Sequence, residues 1–119
     1  MVAAVVRSQL LKGTTDLLIL SVLAEDELYG YQIAQRIRER SGDGLAPSEG
    51  TLYPALHRLE QRGALQASWG AGEAGPRRRY YHLTDSGRGM LAEARRDWDA
   101  YVSEVRAVAG VLLPESDRG

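Results

Sequence analysis

Apolar residues recur with a helical period in four stretches of this chain and alternate with polar ones in two more. Thr14 or Thr15 offers an N-cap for TDLLILSVLAED, a run that is apolar almost all round and is expected to be a buried helix. Ahead of it, VVRSQLLK (residues 5–12) reads as a short additional amphipathic helix, with Val6, Leu10 and Gly13 on one side. Leu28–Ser41 predicts a second helix. Ile33, Ala34 and Ile37 form its core stripe, Gln35, Arg36 and Arg38 face water, and Gly42 is a natural stop before a turn over residues 42–44.

Ser48 is placed to cap a third helix over residues 49–62, ended by Gly63. Leu52, Leu56 and Leu59 fall on one stripe at i, i+4, i+7 spacing. The opposite side carries Gly50, Pro54, His57 and Gln61, flanked by Thr51, Tyr53 and Arg58. A buried helix has no use for that set of small and polar groups, whereas a helix laid against something outside the protein does. Leu65, Ala67 and Trp69 then alternate with Gln66 and Ser68, the period of a half-buried strand, with Trp69 expected in the core. Gly70, Gly72, Gly75 and Pro76 mark a loop, and Arg77–Leu83 is the returning strand. On it Arg79, Tyr81 and Leu83 share one face and Arg78, Tyr80 and His82 the other, so one of the two Tyr belongs to the core.

Thr84 caps a last, long helix with Asp85 in its first turn, where a carboxylate suits the helix dipole. Along it Leu91, Trp98, Val105 and Leu112 recur every seven residues, and Ala94, Tyr101 and Val108 fall three after the first three of these. Such an a/d seam, about three heptads long, needs a partner, and a second copy of the chain is the simplest one. These seven residues are therefore the expected dimerisation surface. They lie on a helix over residues 85–112 that follows a domain of residues 1–84 and precedes a flexible tail, 113–119. The fold class is mainly α with a small β-hairpin.

At 119 residues the chain is one domain with a modest core. Its net charge of −1 gives no global sign of a polyanion partner, but the charge is uneven. Residues 28–88 hold nine Arg and six acids, a balance of +3, while residues 1–27 and 89–119 are each −2. Arg77, Arg78 and Arg79 stand together at the foot of the Gly-rich loop. A polar-faced helix followed by a basic two-stranded ribbon suits a DNA duplex, the helix for the major groove and the ribbon for the flanking backbone.

Other classes find less support. The chain has no Cys, which excludes disulfides and thiolate metal sites and agrees with a reducing cytoplasm. Two His without clustered carboxylates do not make a metal site, and no cofactor is expected. No nucleophile–base pair supports an enzyme, and the Gly70–Gly75 loop lies between strands and leads into no helix. Leu17–Leu23, the longest strongly apolar run, is too short for a bilayer, and MVAAVVRSQLLK lacks the features of a signal peptide. A soluble cytoplasmic protein without membrane contact is expected.

Four motifs carry a family resemblance. Tyr29-Gly30-Tyr31-Gln32-Ile33, Gly50-Thr51-Leu52-Tyr53-Pro54-Ala55-Leu56, Leu59-Glu60 with Gly63, and Arg78-Arg79-Tyr80-Tyr81 before Leu83-Thr84 closely resemble the PadR family of bacterial transcriptional regulators. The match spans about residues 13–109 with motif order and spacing intact, and the single C-terminal helix is similar to the smaller PadR subfamily. The resemblance implies a winged helix-turn-helix with a long C-terminal dimerisation helix. It further implies a homodimer that represses transcription from an inverted-repeat operator in double-stranded DNA, often released by a small molecule. It implies DNA contacts from Ser48, Thr51, Tyr53, His57 and Arg58 on the third helix, Tyr31 and Gln32 on the second, and Arg77, Arg78 and Arg79 in the wing.

In drug-responsive members a Trp on the last helix lines a hydrophobic pore between subunits. Trp98 matches it, with Leu17 opposite and Tyr101 and Val102 completing the candidate ligand site. Position 102 is Val where some drug-binding relatives have an acid facing cationic drugs, which leaves apolar, aromatic or anionic ligands. Trp98 suits a plain interface anchor as well, His57 an ordinary surface His, and at least one of the three wing Arg is expected to be solvated or paired with an acid. The rival function is a winged-helix module that binds another protein and has lost DNA affinity. Such a module should expose apolar residues on the third helix, where this chain has small, hydroxyl and basic groups.

Overall fold

In the computed structural model the first helix, α1, runs unbroken over Val2–Leu23. The structure describes residues 2–71, 75 and 77–110, with side chains for residues 9–70, 75 and 77–110. The separate helix expected over residues 5–12 is thus the first half of α1, and Thr14 and Thr15 cap nothing. The Thr15 hydroxyl donates to the Leu11 carbonyl at 2.7 Å and the Thr14 hydroxyl to the Leu10 carbonyl at 3.1 Å. Each is satisfied one turn back, so neither needs a helix start. Gly13 costs about 1 kcal/mol relative to Ala in a helix, too little to break one of this length. Thr15, Ile19, Leu20, Val22 and Leu23 are buried, and the helix stops before the acids at 25–27.

A two-residue strand, β1 (Leu28–Tyr29), stands where the second helix was expected to begin, and α2 follows as Gly30–Arg40. Leu28 and Tyr29 pair antiparallel with Tyr81 and Tyr80. The backbone of Tyr29 is extended (φ −93°, ψ 168°). Its N–H donates to Gln32 Oε1 at 3.2 Å, one half of a capping box that starts the helix one residue later. At the far end the Ser41 hydroxyl donates to the Ile37 carbonyl at 2.8 Å and accepts from the Leu45 N–H at 2.9 Å. These bonds close the turn through Gly42 and Asp43, whose φ angles of 59° and 67° are left-handed.

The third helix, α3, spans Glu49–Gln61 with Ser48 as N-cap, and buries Leu52, Ala55, Leu56 and Leu59. The Ser48 hydroxyl reaches Thr51 Oγ1 at 3.2 Å instead of a backbone N–H. Gly63, at φ 81°, turns the chain into β2 (Leu65–Ala71), which pairs with β3 (Arg77–Leu83). The sheet order is β1-β3-β2, so the ribbon is three-stranded at its base and two-stranded at its outer end. Thr84 caps the last helix, α4 (Asp85–Ala109), by accepting from the Gly87 N–H at 3.0 Å, while its hydroxyl donates to the Gly63 carbonyl at 2.6 Å.

Ile19 and Leu20 of α1, Ile33 of α2 and Leu52, Leu56 and Leu59 of α3 meet in one core, closed from the sheet side by Tyr81 and Leu83. Burying each such aliphatic side chain is worth about 1.5–3 kcal/mol. Among the described residues of α4 only Gly87 and Leu91 are buried. Past Leu91 the helix runs beside α1, with which Trp98 and Tyr101 line a hollow, and its last turns are open, with Val108 exposed; the molecule measures 57 × 30 × 25 Å.

Candidate nucleic-acid interface

The core stripe of α3 faces inward, so its other side is turned out by the 3.6-residue period. Tyr53, Pro54, His57 and Arg58 are exposed there, with Thr51 half-buried beside the Ser48 hydroxyl. Tyr53 stands over the start of α2: a Cβ at Gly30 would lie 2.6 Å from the Tyr53 hydroxyl. Its ring therefore packs on the start of α2. Tyr31 is exposed at that same helix end, and Gln32 is committed to the Tyr29 N–H. Arg58 points the other way, to Asp16 of α1 at 2.7 Å.

The three wing arginines differ in what holds them. Arg77 lies over the Trp69 ring at 5.6 Å. Arg78 lies over the Tyr29 ring at 4.5 Å and its Nη1 donates to the Tyr29 hydroxyl at 2.9 Å. Arg79 pairs with Glu60 of α3 at 2.5 Å. Trp69, expected in the core, is 61% exposed. It lies far enough out on β2 to have passed the edge of the core, so the alternation that buries Leu65 has nothing left to bury it against. Tyr81 is the core member of the Tyr pair, and Tyr80 instead meets Tyr29 edge-on at 5.4 Å.

These pairings redraw the basic middle of the chain. Of its nine arginines, Arg36, Arg40, Arg58 and Arg79 are matched by Asp26, Glu25, Asp16 and Glu60. The Arg40 guanidinium holds the Glu25 carboxyl below its usual range. Arg38, Arg62, Arg77, Arg78 and Arg88 have no acidic partner among the described residues.

On the far side of α1, Leu10, Leu11, Thr14, Leu17, Leu18, Leu45 and Trp98 line an apolar groove of 360 Å³. A wider hollow next to it adds Asp16, Ala94, Asp97 and Tyr101. Leu17, Trp98 and Tyr101 thus come together, and Val102 lies one position further along α4. Leu45, Asp16 and Asp97 were not expected there, and for Leu45 no residue pattern signals that the segment between α2 and α3 bends back to this groove. Leu91 is 4% exposed within the subunit's own core, while Trp98, Tyr101, Val105 and Val108 are open. Leu112 lies outside the described residues. Among the described residues no group of three or more His, Asp or Glu could hold a metal ion, and no helix is long and apolar enough to cross a membrane.

A helical pair ending in an outward polar helix, followed by a basic β-hairpin and a long C-terminal helix, defines a winged helix-turn-helix protein. A crystal structure of a PadR family transcriptional regulator from Eggerthella lenta superposes with a TM-score of 0.80 at 30% identity, covering 93% of this chain and 95% of that one. A transcriptional regulator from Clostridium thermocellum gives 0.78 at 30% identity, over 84% and 97%. A transcriptional regulator from Mycobacterium tuberculosis is 40% identical over 87 residues, 73% of this chain and 78% of that protein. The model of the PadR-like family of transcriptional regulators matches residues 19–93. The chain belongs to that family, one of DNA-binding transcription factors and not of enzymes.

Proposed function

We propose that the chain works in the cytoplasm as a homodimeric repressor of an inverted-repeat operator, released by a small apolar or aromatic molecule. The observation that carries this reading is the open polar face of α3 beside Arg77 and Arg78, two guanidiniums without an acidic partner among the described residues. In the proposed complex the two α3 helices enter successive major grooves about 34–36 Å apart and the wings hold the flanking backbone. Ser48, Thr51 and His57 are the candidates for base edges, while Tyr31, Tyr53 and the wing supply phosphate contacts. Arg58 joins them only by leaving Asp16.

The groove beside Trp98 and the hollow next to it support the effector half of the proposal, because each has a wall residue that leads to α3. Leu45 lies on the segment that enters α3, and Asp16 holds Arg58 of α3 itself. A ligand there releases DNA only if it binds the non-operator state more tightly. The protein-binding alternative finds little to use on α3, whose outward face exposes hydroxyl, imidazole and guanidinium groups beside one Pro and one Tyr. Selection of bound duplexes from random DNA, with and without planar aromatic compounds, tests both halves. An enriched two-fold-symmetric sequence, lost when a compound is added, is the expected result. A pool that stays unenriched would sink the repressor reading.

A further inference from the structure

The geometry points to an unequal division of labour in the wing. Of Arg78 and Arg79, Arg78, positioned by Tyr29, supplies a phosphate contact, and Arg79 is a structural residue neutralised by Glu60. This inference rests on the proposal that the wing touches DNA, and it names which residues of that site act.

Side-chain alternation on β3 puts Arg78 and Arg79 on opposite faces of the sheet. Arg79 faces the domain side, where Glu60 sits on the half-buried flank of α3 and Tyr81 lies beneath, its ring 5.7 Å from the guanidinium. A guanidinium already matched by a carboxylate brings little net charge to a phosphate, and leaving Glu60 for one exchanges an ion pair for another. Arg78 stands on the other face, two residues beyond the Tyr29–Tyr80 cross-strand pair. The Tyr29 ring lies under its guanidinium and the Tyr29 hydroxyl accepts one of its N–H groups at 2.9 Å. Both partners are neutral, so the full positive charge remains while the side chain is held. The remaining guanidinium N–H donors stay available, since Arg has five in a fixed fork.

The place where Arg78 is held matters as much. Tyr29 precedes α2, where Gly30 carries the Tyr53 ring of α3, and Tyr31 stands exposed one residue on. One run of contacts therefore joins α3, the start of α2 and Arg78. Arg78 is the second residue of β3 and is joined through Tyr29 and Gly30 to Tyr53 of α3, so a duplex that met both α3 and the wing would pass its guanidinium. A held arginine forfeits less side-chain freedom on binding than a loose one. Tyr29 is thus a positioning residue: it acts through Arg78.

The test is a salt series on mixed-sequence duplex DNA, since phosphate contacts do not depend on sequence. It uses the full chain and the variants R78A, R79A, E60Q, Y29F and Y29F/R78A, each checked by thermal melting. R78A is expected to flatten the dependence of log K on log salt by about 0.9 per bound subunit. R79A should leave the slope unchanged, and E60Q should steepen it by freeing Arg79. Y29F keeps the ring but not the hydroxyl. It should weaken binding about fivefold in the parent and not at all in the R78A background. A structural role for Tyr29 would give the same penalty in both backgrounds, and that outcome overturns the inference. So does an R79A slope as flat as that of R78A. A parent protein that binds no duplex at any salt removes the DNA-contact reading and this inference together. Binding whose slope R78A leaves intact removes the inference alone.

Discussion

Gly87, in the first turn of α4, lies against the Ala64 carbonyl where the chain passes from α3 into β2, and a Cβ there would collide with that oxygen and with the Leu83 side chain. The backbone cannot yield cheaply, because Thr84 holds the same crossing through the Gly63 carbonyl and the Gly87 N–H. Gly89, two residues on, is exposed with nothing within 4 Å of a Cβ. The two sites therefore predict opposite signs for one substitution. Gly87→Ala should destabilise by about 1–3 kcal/mol as an overpacked contact. Gly89→Ala should stabilise by about 0.5–1 kcal/mol through helix propensity. Urea melts of the two variants measure both, and a stabilised Gly87→Ala would mean that α4 does not cross the β2 start as closely as described. Tyr81 supplies a pH signature of the same core. Burial pushes its phenol above the ordinary 10.0, the nearby Arg79 charge opposing only in part. A raised folded-state value means that the unfolded chain loses this proton first as pH rises. Tyr81 therefore contributes stability in full below the unfolded value of about 10 and loses it as pH climbs toward the folded one. Tyr81→Phe should remove that alkaline decline, read from melts across the range.

Long periodic stretches were legible as elements, and short or ambiguous ones were not. Leu52, Leu56 and Leu59 repeat often enough to define a buried face, and the structure buries all three. Leu28 and Tyr29 are too few to show any period, and only pairing with Tyr80 and Tyr81, about fifty residues away, makes them a strand. The wing arginines were legible as a cluster, but their division between Tyr29, Glu60 and Trp69 depends on tertiary neighbours that spacing does not report. Thr14 and Thr15 misled for a different reason: a hydroxyl suited to an N-cap is also satisfied by a carbonyl one turn back, and sequence alone does not choose. The continuity of α1 has its own test. If a helix began at Thr14, residue 13 would lie outside it and accept Pro. In the unbroken Val2–Leu23 helix, Gly13→Pro removes an interior hydrogen bond and crowds the preceding turn, at about 3 kcal/mol or more. Circular dichroism should show lost helix and a lower melting temperature, whereas an unaltered melt would restore the boundary.

At the scale of the whole molecule, α4 presents an apolar stripe that the subunit does not cover. Leu91 anchors it in the core, and beyond that point Trp98, Tyr101, Val105 and Val108 are all open, Val108 at 92%. A stripe of that length on a helix extending from the domain is the face expected of an a/d seam awaiting its partner. Trp98 and Tyr101 of the stripe also line the groove and the hollow beside it, so a partner seated on the stripe would border both. Dimerisation and effector binding are therefore coupled in the proposed mechanism, and the spacing of the two α3 helices depends on both. Val105 is the position to probe. It lies past the groove and touches neither the core nor the wing, so Val105→Asp leaves folding of the domain intact and places a charge in the middle of the proposed seam. Sedimentation should show a monomer whose domain melts as before. That monomer should bind mixed-sequence DNA weakly and lose discrimination for a two-fold operator, because one α3 and one wing reach only half of it. A Val105→Asp protein that still sediments as a dimer would remove α4 from the interface, and with it the link between Trp98 and operator spacing.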